Sequence, residues 1–366
     1  MNKVSQNLLI TAGVICALFL AWYFSNIVAY LLISAIVALV GRPIVSFLNN
    51  IKIKGKNLPR WLCATGGLLT IMLIFYLFLA FFIPLIAAQT QLLANVDVNE
   101  LVDILTVPFT KLEDIVTRIF PDSEFSFNAF FSEKVASILD PSFVLSSFGS
   151  ITNFIASMAM GIFSVSFISF FFMKEESLFM DGVVIFFPAK YEQSIRHAWD
   201  SSTKILMKYF IGVFAEIVCV MVVLAFGLKF IAGLNASTAV LLGLLAGILN
   251  IIPYVGPLIA ATITLIVALA VNLDVIEWSN FYILVIKVLG VFSAMKLIDY
   301  FVFQPYIFAD NLKAHPLEIF LLILIAGSFA GIGGMLIAVP TYMVLRVFAK
   351  EFLSRFRIVQ KLTEKI

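Results

Sequence analysis

Leu241–Ala260 reads LLGLLAGILNIIPYVGPLIA, and eighty residues later Leu321–Pro340 reads LLILIAGSFAGIGGMLIAVP. Aligned without gaps, both open on Leu-Leu-x-Leu-[Leu or Ile]-Ala-Gly, and both then break into Gly and Pro halfway along an apolar run. A broken helix exposes backbone N–H and C=O groups that hydrocarbon cannot satisfy, so such breaks persist only inside protein or along a polar cavity. Paired breaks in corresponding positions of two halves point to the binding site of a transporter.

The surrounding composition agrees with a membrane setting. Of 366 residues, 62% are hydrophobic and 13% charged, and the mean hydropathy is +1.08. Soluble domains run at about 45–50% apolar and about 25% charged. The net charge of +2 carries no nucleic-acid signal. Cys16, Cys63 and Cys219 sit in apolar runs without CxxC spacing, which reads as packing rather than as a zinc site or disulfide framework. Met1–Tyr23 lacks a small-residue cleavage site and runs on into apolar Asn26–Val40, so it reads as a retained membrane segment.

Spanning about 30 Å of hydrocarbon takes roughly 20 helical residues. The apolar runs are Leu8–Val40, Trp61–Ala88, Ile151–Met173, Met207–Ile231, Thr238–Val271, Phe281–Phe303 and Leu317–Val347. The first holds Ser25 and Asn26 near its middle, consistent with a kink or with two short helices. Cytoplasmic loops carry an excess of Lys and Arg, which places the acid-free Gly41–Arg60 loop and the basic tail after Val347 inside. Gln89–Ser150, with nine acids and three bases, then lies outside.

Parity makes Thr238–Val271 and Leu317–Val347 each enter and leave on one face, as two hairpins dipping from opposite sides. They are either re-entrant or pairs of short full spans. The expected fold is an all-α polytopic membrane protein of about eight membrane segments. Its parts are N-terminal scaffold helices (1–88), an extracytoplasmic amphipathic helical region (89–150), a membrane helix with a cytoplasmic interfacial helix (151–206), an inverted-repeat transport unit (207–347) and a basic tail (348–366). Helical-period stripes at 98–119 and 127–138, and another through Tyr191, Ile195, Trp199, Ser202 and Leu206, read as packing or interfacial faces.

The candidate solute-binding residues are Asn250, Pro253, Gly256 and Pro257 in the first break, and Gly331, Gly333, Gly334 and Pro340 in the second. Unwound carbonyls there favour cations and helix N-termini favour anions. Gly243–Gly247 and Gly327–Gly331 are also GxxxG pairs, whose plainer reading is helix packing. Ionisable residues within apolar spans are functional hypotheses by default. Glu216 lies about nine residues into its span and Lys287 about as far into the helix that pairs with it in the repeat; the two are expected to pair or to share a polar cavity, with Glu216 as the ion-coupling group. Asp299 is a further candidate, although Lys296 and Asp299, three residues apart near a helix end, also read as a local pair. No Walker A, HExxH or paired intramembrane aspartates occur, and His197 and His315 are far apart, so neither an enzyme nor a metal or other cofactor is expected.

The run Asn250-Ile-Ile-Pro-Tyr-Val-Gly-Pro257 resembles a signature of the autoinducer-2 exporter family of bacterial permeases. So do Gln304-Pro305 after Asp299, His315-Pro316, Gly331-Ile-Gly-Gly334 ahead of Pro340, Phe170-Phe-Phe-Met-Lys174-Glu175 and Tyr209–Gly212. The resemblance covers essentially the whole chain, with Glu175 where Asp is common and Val213 where Gln is frequent. It implies a multi-pass inner-membrane transporter with a cytoplasmic C-terminus, a pentameric homo-oligomer and an elevator-like hairpin domain. The cargo it implies is either autoinducer-2 or sodium or lithium exchanged for protons. A membrane scaffold and a passive channel are the competing readings, and the lipid bilayer and a small solute are the expected partners.

Overall fold

The computed structural model of the protein describes residues 19–20, 23–53, 56–94, 151–175, 177–185, 188–272, 278–303 and 315–353. The amphipathic stripes at 98–119 and 127–138, Gln304-Pro305 and the tail beyond residue 353 lie outside the described residues. Nearly everything described is helical: α1 (Ser25–Asn49), α2 (Arg60–Ala94), α3 (Ile151–Lys174), α4 (Leu178–Val184), α5 (Glu192–Phe230), α6 (Ala236–Leu249), α7 (Val255–Val271), α8 (Trp278–Ile298) and α9 (Pro316–Leu353). The extended structure among the described residues is a two-residue antiparallel ladder, Lys52–Ile53 against Lys56–Asn57, in the basic loop. Among the described residues five helices are long and apolar enough to cross a membrane, and three shorter apolar helices, α6 and α7 among them, accompany them.

The chain forms two compact units, Met1–Phe75 with Asn153–Thr203, and Tyr76–Thr152 with Lys204–Ile366. In the first unit, small residues let helices meet. Ser34, fully buried, donates to the Tyr30 carbonyl at 2.6 Å and the Val165 carbonyl at 3.2 Å, and Ser169 donates back to the Ser34 carbonyl at 3.2 Å. Each hydroxyl thus has a carbonyl to satisfy it, as burial requires. Ala38, Ala64 and Met173 form the apolar cluster beside this polar seam. At a solvent-facing corner Arg196 bonds Asp181 and Glu192, and its guanidinium holds the Asp181 carboxyl below the usual carboxylate range.

In the second unit α5 is the spine. Val220, Leu224 and Leu228 are fully buried on one stripe four residues apart, with Glu216 one turn earlier on the same stripe. The sequence separates an interfacial helix from a span at Met207, whereas the structure runs both as one helix of 39 residues. No Gly or Pro stands between Glu192 and Ile211 to stop it. The glycines of α6 set how closely it lies on α5: a Cβ on Gly243 would meet the Met221 carbonyl, and one on Gly247 the Ile217 carbonyl, each at 2.6 Å. Tight helix packing, the plainer reading of this GxxxG pair, is what the backbone shows.

Both apolar runs with Gly/Pro breaks fold back on themselves. α6 ends at Leu249, and α7 begins at Val255 after Tyr254 takes φ 68° and ψ −52° in a γ-turn, with the Val255 N–H donating to the Pro253 carbonyl at 2.8 Å. The two helices pack on each other, and α7 packs on α8. Pro257 falls in the first turn of α7, where its missing N–H costs nothing. In α9 the helical path fails at Ala330 and Gly331, the latter at φ 58° and ψ −146°, which only Gly adopts readily.

Around that point residues far apart along a straight helix meet. Gly334 abuts the Ala326 carbonyl and Gly327 abuts Met335. Ile319 and Ile323 share a buried cluster with Ala338, Val339 and Met343. At the open end Tyr342 Oη donates to Glu318 Oε2 at 2.9 Å. This clasp is a single, partly buried bond, so Tyr342→Phe should lower stability by about 0.5–1.5 kcal/mol in a thermal unfolding series. No change at all would mean that apolar packing alone closes the pair.

Candidate functional site

Where the chain unwinds between α6 and α7, Asn250 can turn its side chain sideways into the unit. Its Nδ2 donates to Glu216 Oε1 on α5 at 2.6 Å, and its Oδ1 accepts from Lys296 Nζ at 2.8 Å. Lys296 also donates to Asp299 Oδ2 at 2.7 Å. Asp299 opens a π-helical turn, Asp299–Phe303, that closes α8. Such a wider turn, common at functional sites, re-aims the side chain at its start. These bonds join Glu216, Asn250, Lys296 and Asp299 in one polar network, a ring in the sense that the Asp299 and Glu216 carboxyls lie near enough to feel each other's charge.

Glu216 and Asn250 are each 8% exposed and Asp299 is 1% exposed, while the Lys296 side chain is 38% exposed, so buried carboxyls meet a partly solvated cation. Buried charges are tolerated when they are paired and hydrogen-bonded, and every member here has a named partner. Three separate elements supply them: the α5 spine, the first break and the end of α8. Tyr209, also on α5, is a further titratable group that feels Glu216.

Beside the network, the tip of the first break packs on α9. Ile252 lies in the cluster of Ile319 and Ile323, and the Tyr254 ring meets Phe320 edge-on at 5.9 Å. Pro253 and Pro257 are half-buried there, while Gly256 is buried with its Cα against the Leu249 carbonyl. In the second break Gly331 and Gly333 are exposed, Gly334 is buried and Pro340 is half-buried within the helix. The Phe320 contact stands some ten residues short of the second break, or about 15 Å at 1.5 Å per residue.

Lys287 is exposed and outside the network. α5 and α8 run antiparallel with Gly227 against Val291, so Glu216 faces the far end of α8, and Lys287 is level with the opposite end of α5. Similar depths counted inward from opposite ends do not bring Glu216 and Lys287 together on these helices. Lys296 supplies the cation instead. Its signal in the sequence is a Lys and an Asp three apart on one face of an apolar span. That pattern reads equally as an exposed pair until an acceptor on another helix is known.

The AI-2E family transporter model matches residues 9–354. The chain belongs to the AI-2E transporter family. A Bacillus subtilis (strain 168) relative, YueF, is 29% identical over 347 residues, covering 92% of this chain and 86% of its own. YrrI of the same organism is 35% identical over 113 residues, 31% of this chain and 30% of YrrI. A Thermotoga maritima protein is 31% identical over 115 residues, 31% of this chain and 33% of its own. All three carry the name "Putative transport protein". With family membership and five helices of membrane-crossing length, this AI-2E member is a multi-pass membrane protein with a permease role.

Proposed function

We propose that this chain is an inner-membrane secondary transporter that exports a small polar solute, autoinducer-2 being the first candidate, by alternating access coupled to a cation gradient. The observation that carries the reading is the buried Glu216–Asn250–Lys296–Asp299 ring, anchored on a helix break. Charged groups inside an apolar fold are costly and mark ion or substrate paths. In this reading α6–α7 and the two arms of α9 are re-entrant hairpins of an inverted repeat, the C-terminus is cytoplasmic, and copies of the chain assemble as a homo-oligomer. The glycines of the second break line the route, and Glu216 couples the cation.

The two carboxyls of the ring also favour a second reading, sodium or lithium exchange for protons with no organic cargo. Proteoliposomes holding only this protein separate the two. Saturable autoinducer-2 release under an imposed gradient supports the exporter, and sodium-driven proton movement without that release supports the antiporter. Neither flux from folded protein would favour a scaffold. Glu216→Gln should abolish coupling at least tenfold while leaving expression and folding intact. Unchanged pH dependence in that variant rejects the role given to Glu216.

A further inference from the structure

The loop between α1 and α2 reads Asn50-Ile-Lys-Ile-Lys-Gly-Lys-Asn-Leu-Pro59 and is followed by Arg60. Lys52, Lys54, Lys56 and Arg60 place four bases within nine residues, and no acidic residue occurs before Asp97. Of the described acids in the same compact unit, Glu175 is bonded to Lys174, and Asp181 and Glu192 to Arg196, which leaves Asp200. The loop keeps an excess of positive charge.

Its place against the bilayer follows from what it joins. α1 and α2 are both long and apolar enough to cross a membrane, so the ten residues between them lie at a membrane surface. The loop doubles back as the antiparallel ladder of Lys52 with Asn57 and Ile53 with Lys56. At roughly 3.3 Å per residue each half of it reaches no further than about 17 Å from the helix ends. Leu48 packs against Gly66 and Val45 against Gly67, which holds those ends together beneath the loop. Phe47, Ile51 and Trp61 are exposed on either side of the bases, and an exposed Trp beside a base marks the layer where headgroups meet acyl chains.

We propose that this basic hairpin is a docking surface for anionic phospholipid headgroups: Lys52, Lys54, Lys56 and Arg60 meet lipid phosphates, while Phe47 and Trp61 lie among the upper acyl chains. A cluster of bases directly beside a membrane helix draws anionic lipid in preference to zwitterionic lipid, each base adding to the attraction within a Debye length of the surface. An acidic soluble protein matches the bases but offers nothing to Phe47 and Trp61, whereas a lipid matches both. The surface seats the first unit at the headgroup layer and is independent of what the protein transports.

Full-length protein with Trp61 as its sole tryptophan (Trp22→Phe/Trp199→Phe/Trp278→Phe) reports the neighbouring lipid by fluorescence quenching. It is reconstituted in mixed phosphatidylglycerol and phosphatidylcholine vesicles in which one lipid or the other is brominated. Phosphatidylglycerol should be enriched at Trp61 by at least about threefold in low salt. The enrichment should vanish in about 1 M salt, where the Debye length falls to roughly 3 Å. Lys52→Gln/Lys54→Gln/Lys56→Gln should bring it close to unity, and Lys52→Arg/Lys54→Arg/Lys56→Arg should keep it. Inorganic phosphate should displace the lipid no better than chloride of equal ionic strength. No enrichment beside the natural loop, enrichment that survives the three Gln substitutions, or displacement specific to phosphate overturns the proposal. Removing bases can disturb membrane insertion, so the salt series and the Arg variant decide the matter where the Gln variant does not fold.

Discussion

Gly256→Ala should cripple folding, because the added Cβ lands on the Leu249 carbonyl, with Asn250 N only 3.3 Å away. The obstacle is backbone, so α6 and α7 must separate at the very point where Asn250 is aimed at Glu216. Overpacking costs about 1–3 kcal/mol where side chains can yield, and here none can, so the loss should sit at or above the top of that range. Gly334→Ala meets the same kind of obstacle in the Ala326 carbonyl and should behave alike. Gly333→Ala has nothing within 4 Å and is expected to be neutral, or stabilising by up to about 1 kcal/mol through helix propensity. Expression and detergent melting of the three variants side by side test the account. Equal effects at 333 and 334 would defeat it.

Lys296→Met should be the most damaging change in the network. Removing one partner of a buried ion pair costs about 3–5 kcal/mol because the other charge is left uncompensated. The Lys296 side chain keeps 38% of its surface exposed against 1% for Asp299, so a smaller loss of about 2–3 kcal/mol is expected. Adding Asp299→Asn should recover part of it, since the carboxylate that faced Lys296 is then gone. A double variant no more stable than Lys296→Met would show that the lysine acts through packing of its stem. Stability would be followed by thermal unfolding of purified protein in detergent.

Composition and break pattern carried much of this architecture in the sequence. The Asn250–Pro257 run places the end of one helix and the start of the next, and Gly331 marks the one point where α9 leaves helical geometry. The site was only half legible. Glu216 and Asp299 announce themselves as acids in apolar helices, but their contact depends on the antiparallel register of α5 on α8, which Gly227 and Val291 set. Depth counted along each helix from its own end carries no such register, and that is why the sequence points to Lys287 beside Glu216 and to Lys296 only beside Asp299. Asn250 was visible as a helix breaker. Its role as a bridge depends on which way its side chain turns, and no periodicity encodes that.

The two bonds of Asn250 join residues 34 and 46 positions apart, whereas the clasp of α9 spans 24 and its tip only eight. Closing a short loop costs less entropy than closing a long one, and contacts local in sequence form sooner. Each folded-back helical pair can therefore form on its own as the chain is made, with the ring assembling last from pieces already in place. A chain can thus hold each of these helices before the charged network has closed.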